Sequence, residues 1–332
     1  MPSRTTLAAT LAVLLSPLAR SQEIVGPWVI GAIPVEATVI RAQGTSAGWL
    51  NVTNTPITLE ETLTTTPLVD TGIANLLPRS EFELRFAPGA LINGDGAELL
   101  FLEARYDAGG LDISTELDGF QTWTRVLPSD FLPSGVERLY FYELNPGPFV
   151  ADVFGATLDL GALGVPVGGS VERIRIRTTD AAFDLVGAGT LVPALGTNYC
   201  SAVPNSTGAP ASIGARGSDL VAANEVVLVA ESLPANSFGH FLCSMSTDFV
   251  TGFGASQGNL CLGGSIGRFD ARILDSGSAG TIALQIDLTS IPQPMGAVAV
   301  AAGETWHFQA WYRDANPTVT SNFTDGVSVA FQ

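Results

Sequence analysis

Apolar and polar positions alternate with a period of two along most of this chain. The clearest case is Val171–Arg177 (VERIRIR), where Val171, Ile174 and Ile176 stand among arginines and a glutamate. Successive side chains of a strand point to opposite faces, so the pattern predicts a strand with one face buried. Alternation or apolar content predicts further strands at Ala37–Ala42, Glu81–Phe86, Glu98–Tyr106, Phe120–Val126, Arg138–Glu143, Ala156–Leu160 and Phe183–Val186. Turn signals separate them: Pro88-Gly89, Asn93-Gly94-Asp95-Gly96, Gly109-Gly110, Asn145-Pro146-Gly147-Pro148 and Gly168-Gly169. Many short strands with regular turns imply a sandwich or jelly roll.

The pattern resumes after residue 210, with strands expected at Ser212–Gly217, Glu225–Glu231, Phe238–Met245, Gly267–Leu274, Thr281–Leu288, Thr305–Arg313 and Gly326–Phe331. Neither half shows a helix longer than a turn or two, nor an internal repeat. Between the halves lies GAGTLVPALGTNYCSAVPNSTGAP, residues 187–210, rich in Gly, Pro, Ala and small polar residues. The expected architecture is all-β, two tandem β-sandwich or jelly-roll-like domains. The first spans residues 22–190, a linker 191–199, and the C-terminal module 200–332.

Residues 1–21 read as a secretory signal. Arg4 supplies the charged start, Leu7 to Leu15 an apolar core, and Ala19-Arg20-Ser21 a small-x-small cleavage site. That core is shorter than the roughly 20 apolar residues a membrane span needs, and no later segment qualifies. The expectation is a secreted or cell-surface protein without a transmembrane span. Beyond the signal, 13 arginines face 32 acids, and lysine is absent. Such a charge repels nucleic acid and anionic membrane and keeps the protein solvated. Dispersed acids and a hydrophobic content of 46% argue against disorder.

Cys200, Cys243 and Cys261 all fall in the second half. In an exported protein, one disulfide with one thiol left over is the natural count. No CxxC or Cys/His spacing suggests zinc, and the two histidines, His240 and His307, are too few for a conventional cage.

From Cys200 to Gln332, about two fifths of the chain, the residues resemble a C-terminal module recurring in secreted proteins of planctomycete-type bacteria. The segments that carry the resemblance are YCSAVPNSTG, SQGNLCLGGSIGRF, IDLTSIPQP and GETWHFQAWYRDANPTVTSNFTDGVSVAF. No molecular activity is defined for that module. Its place at the ends of unrelated exported proteins implies an accessory, sorting or attachment role. The resemblance also implies a Cys200–Cys261 bridge, because the module's usual cysteines match those two and Cys243 is additional; Cys243–Cys261 is the alternative. Residues 81–186, with GDGAELLFLEARYD and LDISTELDGFQTWTRV, resemble in pattern the jelly-roll-like domains of exported bacterial surface proteins.

Several constellations invite chemistry. Gly263-Gly264-Ser265-Ile266-Gly267 matches the G-x-S-x-G elbow, with Asp287 and His307 following in hydrolase order. The surroundings are strand–turn–strand without a helix, and the resembling module carries Asn at the His307 position, so the match reads as accidental. Asn93, Asp95 and Glu98 offer hard oxygen ligands for Ca²⁺ beside two glycines, and Asp107 and Asp112 flank a second glycine pair. An Asx/Gly hairpin turn explains Asn93–Gly96 equally well.

Trp123, Tyr140 and Tyr142, or Trp306, Trp311 and Tyr312, suit a platform for stacking sugars, although aromatics on alternating strands are more often core. Alternation puts Trp306 and Trp311 on opposite faces, so at most one of them is core. No local motif marks a pair of hydrolytic carboxylates. Asn-x-Ser/Thr triplets begin at Asn51, Asn205 and Asn322, and carry little weight in a chain that resembles bacterial ones.

These readings lead first to a non-enzymatic exported protein of the cell envelope or extracellular matrix. Its C-terminal module would attach to an envelope polysaccharide or a surface protein. The alternatives are a Ca²⁺-assisted carbohydrate-binding protein and a hydrolase that uses carboxylates of the first domain.

Overall fold

The structure is a computed structural model that describes residues 23–41, 58–65, 73–94, 96–104, 109–142 and 145–332. The expected signal segment lies outside the described residues. Strands dominate and pair antiparallel throughout, so the all-β expectation holds. Among the described residues the one α-helix is the six-residue Leu59–Thr64. Its capping box is reciprocal: the Thr58 hydroxyl accepts the Glu61 N–H, and the Glu61 carboxylate accepts the Thr58 N–H.

The first unit contains two five-stranded sheets. One runs Leu132–Tyr142, Asn145–Leu158, Leu99–Ala104, Phe183–Thr190, Ala74–Leu76; the other runs Glu36–Arg41, Glu81–Arg85, Arg173–Thr178, Leu111–Thr115, Thr124–Val126. Phe82, Leu84, Ile174 and Ile176 from the second sheet share a core with Phe101, Phe183 and Leu185 from the first. The VERIRIR alternation is thereby resolved into buried isoleucines and outward arginines. Leu99–Ala104 (LLFLEA) is buried on both faces, because the hairpin Glu23–Val25/Trp28–Ile30 packs Val25, Trp28 and Ile30 onto Leu100 and Leu102 from outside. Double burial is why Leu99–Leu102 reads as a continuous apolar run and not as an alternation.

The second unit is a smaller sandwich. Its four-stranded sheet is Ala194–Leu195, Ser212–Gly217, Val226–Glu231, Ile282–Ile286. Its six-stranded partner is Thr197–Tyr199, Val319–Ala330, Thr305–Ala315, Phe238–Ser244, Gly267–Arg268, with Leu274–Asp275 also paired to Phe238–Ser244. Leu228, Leu284, Phe241, Trp306, Phe308, Tyr312 and Val327 fill the space between the two sheets.

Besides Asn145–Pro148, which belongs to a strand and not to the expected turn, and the unexpected hairpins Glu23–Val25/Trp28–Ile30 and Ser246–Thr251/Asn259–Gly263, two features depart from the sequence expectation. Residues 191–199, expected as a linker, are tied down along their length. Leu191 bridges to Ile30, and the Val192 N–H donates to the Val29 carbonyl. Ala194–Leu195 and Thr197–Tyr199 then open one edge of each sheet of the second unit. Between them Gly196 turns the chain at φ +75°, where a Cβ would meet the Ser328 carbonyl oxygen at 2.1 Å. Small residues here mark a tight crossing, not free chain. Val29 and Val192 pack with Val227 and Val229, so the two units share an apolar contact.

The second departure concerns two strand boundaries. Phe120–Val126 is strand only at Thr124–Val126, and Gly267–Leu274 is strand only at its two ends. Ahead of Thr124 the chain makes a 3₁₀ turn at Glu116–Asp118, where the Glu116 carboxylate accepts the N–H groups of Glu172 and Arg173.

Candidate functional site: an aromatic cleft on the C-terminal sandwich

The strand Thr305–Ala315 sorts its side chains as alternation requires. Trp306, Phe308, Ala310 and Tyr312 enter the core, while His307, Gln309, Trp311 and Arg313 take the other face. Trp306 is 1% exposed and its indole N–H donates to Glu304 at 3.0 Å. It therefore contributes to no surface platform, which corrects its candidacy as a ligand-binding residue. Trp311 is half-buried on the outer face, its ring 5.1 Å from that of its cross-strand neighbour His240.

That outer face is partly roofed. The hairpin Ser246–Thr251/Asn259–Gly263 lies over it and packs Leu260 and Leu262 against Leu242 and Phe323. Next to this small second core, a cleft of about 330 Å³ opens between sheet and hairpin. His240, Leu242, Trp311 and Phe323 line it from the sheet, and Leu260 and Ile266 from the roof. Phe253 and Arg268 are exposed members of its lining.

Buried polar contacts hold the roof in place. Gln309 is wholly buried: its amide donates to the carbonyls of Asn259 at 2.8 Å and Thr324 at 2.7 Å, and its oxygen accepts the Cys261 N–H at 2.9 Å. The Tyr199 hydroxyl donates to the Cys261 carbonyl at 3.3 Å. Cys261 is disulfide-bonded to Cys200, so the roof is also anchored covalently to the first strand of the sheet's edge. Cys243 is left as a buried free thiol, which burial pushes up to about 12.

Burial lowers the His240 imidazole below its ordinary value; the Asp270 carboxylate opposes this and the Arg268 charge adds to it. The ring is thus neutral at pH 7, with one donor and one acceptor nitrogen. The Arg268 backbone pairs with Leu242, while its guanidinium makes no hydrogen bond or ion pair among the described residues.

Trp123 lies elsewhere, on the outer face of the first unit, and is half-buried. The Arg177 guanidinium stands 4.1 Å over its ring, and Arg175 stands 4.0 Å over Phe120. Both belong to a lattice of alternating charge: Arg173 pairs with Glu116, Arg175 with Glu83, and Asp112 with both Arg125 and Arg177. The ring face that would stack a sugar is occupied by a cation from the same unit. Trp123 and Trp311 are not brought together, and the side chain of Tyr142 lies outside the description.

The calcium candidates are committed to the backbone. Asn93 is 4% exposed and donates to the Val165 carbonyl at 2.5 Å. Glu98 accepts the Gly94 N–H with one oxygen and the Leu160 N–H with the other, each at 2.9 Å. Asp95 and Asp107 lie outside the described residues, and Asp112 is buried within its ion pairs. Among the described residues no group of three or more His, Cys, Asp or Glu is placed to hold a metal. Glu98 and Glu225 do line a second cavity, of about 370 Å³, in the crease between the units, but most of its wall is small residues.

The formal hydrolase triad is dispersed. Ser265 is exposed on a turn; the His307 Nδ1 meets the Ser328 hydroxyl at 2.7 Å; Asp287 accepts from Thr289 and Asn224 in an exposed loop. Asn205 and Asn322 are buried, which removes them as glycan acceptors. Asn205 instead donates to the Ser232 carbonyl and the Tyr312 hydroxyl.

Sequence reasoning singled out Trp311 but not Gln309, His240 or Arg268. His240 was legible in principle, since Phe241 and Cys243 alternate with it and enter the core. Gln309 and Arg268 acquire their roles only from the hairpin folded over them.

No family model matches the chain, and no curated protein does. Among solved structures, a β-1,2-glucanase from Parabacteroides distasonis is similar at 8% identity and a TM-score of 0.29, over 91% of this chain and 38% of that one. The Endo-D glycoside hydrolase domain from Streptococcus pneumoniae R6 follows at 14% and 0.20, over 78% and 33%. A tetra-tandem repeat from the extending region of a large adhesion protein gives 9% and 0.21, over 76% and 46%. The chain spans a third to under a half of the length of these structures, and at such TM-scores the likeness carries no argument.

Proposed function

We propose that this protein is a non-enzymatic, exported component of the cell envelope or extracellular matrix, attached through its C-terminal sandwich. The observation that carries the reading is Trp311, an indole left half-open in a cleft whose roof is fixed by a disulfide and by buried Gln309. A large aromatic beside a rigid apolar wall is the usual anchor of a binding surface, and a fixed roof reduces the ordering cost of binding. A disulfide in a chain with an apolar, Arg-flanked N-terminus fits an oxidising destination. The partner this reading requires is an envelope polysaccharide or a surface protein.

The test is fractionation of bacteria expressing the full chain with its own N-terminus. The wild type is expected in the envelope fraction, and Trp311→Ala is expected in the medium, folded and disulfide-bonded. Equal retention of the two proteins would remove the cleft from the attachment role. Release of the wild type by a calcium chelator alone would favour calcium-assisted polysaccharide binding in its place.

A further inference from the structure

We infer that the Trp311 cleft seats one apolar side chain flanked by a carboxylate, presented by an extended segment of a partner protein. The inference rests on the attachment reading and specifies what is held.

Three observations choose a peptide over a sugar. The inner wall is Leu242, Leu260, Ile266 and Phe323, side chains that offer a ligand no hydrogen bond. A sugar driven against that wall would bury hydroxyls without partners, which is costly, whereas a Phe or Leu side chain has no polar group to leave unpaired there. At about 330 Å³ the cleft is at the small end for ligand sites, enough for one large side chain but not for a run of sugar rings. Apolar side chains are also exposed on the roof: Phe253 at the cleft and Phe249 and Val250 on its hairpin are 45%, 55% and 37% exposed, and exposed large apolar side chains beside a cleft suit a protein contact.

Charge supplies the second half of the specificity. The chain as a whole carries a net charge of −17, yet the charged side chain in the cleft lining is Arg268, with no partner of its own among the described residues. A carboxylate next to the inserted side chain would take that guanidinium in a bidentate pair. His240, neutral, supplies a hydrogen bond to the partner backbone without competing for the charge.

The experiment uses the full chain and a panel of dye-labelled hexapeptides, Ser-Gly-X-Z-Gly-Ser, with X as Phe, Trp, Leu or Ser and Z as Asp, Glu, Ser or Lys. Anisotropy is expected to show saturable binding when X is apolar and Z acidic, weaker by at least tenfold for X Ser or Z Lys. Arg268→Ala should remove the preference for Z Asp while leaving the fold intact by circular dichroism. Arg268→Glu should invert the preference toward Z Lys, which distinguishes loss of charge recognition from loss of folding. Indifference to Z, or an Arg268→Glu variant with the wild-type preference, would overturn the inference. So would binding of oligogalacturonate, with Trp311 required, in the absence of peptide binding. That last result would leave the attachment reading standing and change only the occupant; loss of the attachment reading shows separately, as envelope retention unaffected by Trp311→Ala.

Discussion

The amide of Gln309 and the backbone of Cys261 meet in the interior of the C-terminal sandwich, the Gln309 oxygen accepting the Cys261 N–H at 2.9 Å. The same amide donates to two carbonyls, those of Asn259 and Thr324. One side chain on the sheet thus satisfies three backbone groups, two of them on the roof hairpin. Gln309→Leu leaves those groups orphaned, at about 1–3 kcal/mol for each that finds no water. Gln309→Glu presents a carboxylate to two carbonyl oxygens and is expected to be worse at pH 7 than at pH 4, where the carboxyl can donate one proton. Thermal unfolding of the two variants at both pH values checks the order.

Trp306 and Trp311 are five residues apart and differ in role. Trp306→Ala empties a core site and is expected to destabilise by about 3–5 kcal/mol. Trp311→Ala removes a half-buried ring from the outer face and should cost about 1 kcal/mol. Urea denaturation followed by circular dichroism separates them, and equal losses would contradict the assignment of faces.

The Cys200–Cys261 bridge closes a loop of sequence separation 61. In the chain-entropy model such a closure stabilises by about 4 kcal/mol, so Cys200→Ser should lower the unfolding midpoint and loosen the roof hairpin. Cys243 is predicted to be inert: buried, with its thiol pushed up to about 12, it should resist iodoacetamide at pH 8 in the native protein. Mass spectrometry should find one alkylated cysteine after unfolding without reductant, and three after unfolding with it.

On the first unit, Asp112 lies between Arg125 and Arg177. Burial alone would raise its carboxyl; hydrogen bonds and charge from Arg125, then Arg177, outweigh this and hold it below the ordinary value. A depressed folded-state value stabilises the native form above the unfolded pKa of about 3.9 and loses that stabilisation as pH falls through the folded value. Asp112→Asn should therefore cost about 1 kcal/mol at pH 7, after discounting for the exposure of the two guanidinium groups. That corresponds to a Tm lower by roughly 2–4 °C. The gap from the wild type should shrink below pH 4; a gap unchanged at pH 3 would argue against ion pairing as its origin.

The hairpins Glu23–Val25/Trp28–Ile30 and Ser246–Thr251/Asn259–Gly263 escaped the sequence pattern; the sequence by itself determined many of the other strands, the all-β class and the opposed faces of Trp306 and Trp311. Each of these follows from a period of two, a local property of the backbone that needs no knowledge of what covers the face. It also supplied three cysteines, and the resemblance of the second half pointed to the pair that is joined. The tertiary structure decided what covers each face. LLFLEA is buried twice because the N-terminal hairpin crosses it, and Ala194–Leu195 and Thr197–Tyr199 are strands because partners some 20 and 130 residues later accept them. Trp123 is capped because Arg177, distant in sequence, lies above it on the sheet. The Trp311 cleft exists because a hairpin folds back over strands on either side of it in sequence. Pairings of this kind depend on which distant surfaces fit, and alternation along the chain carries no record of them.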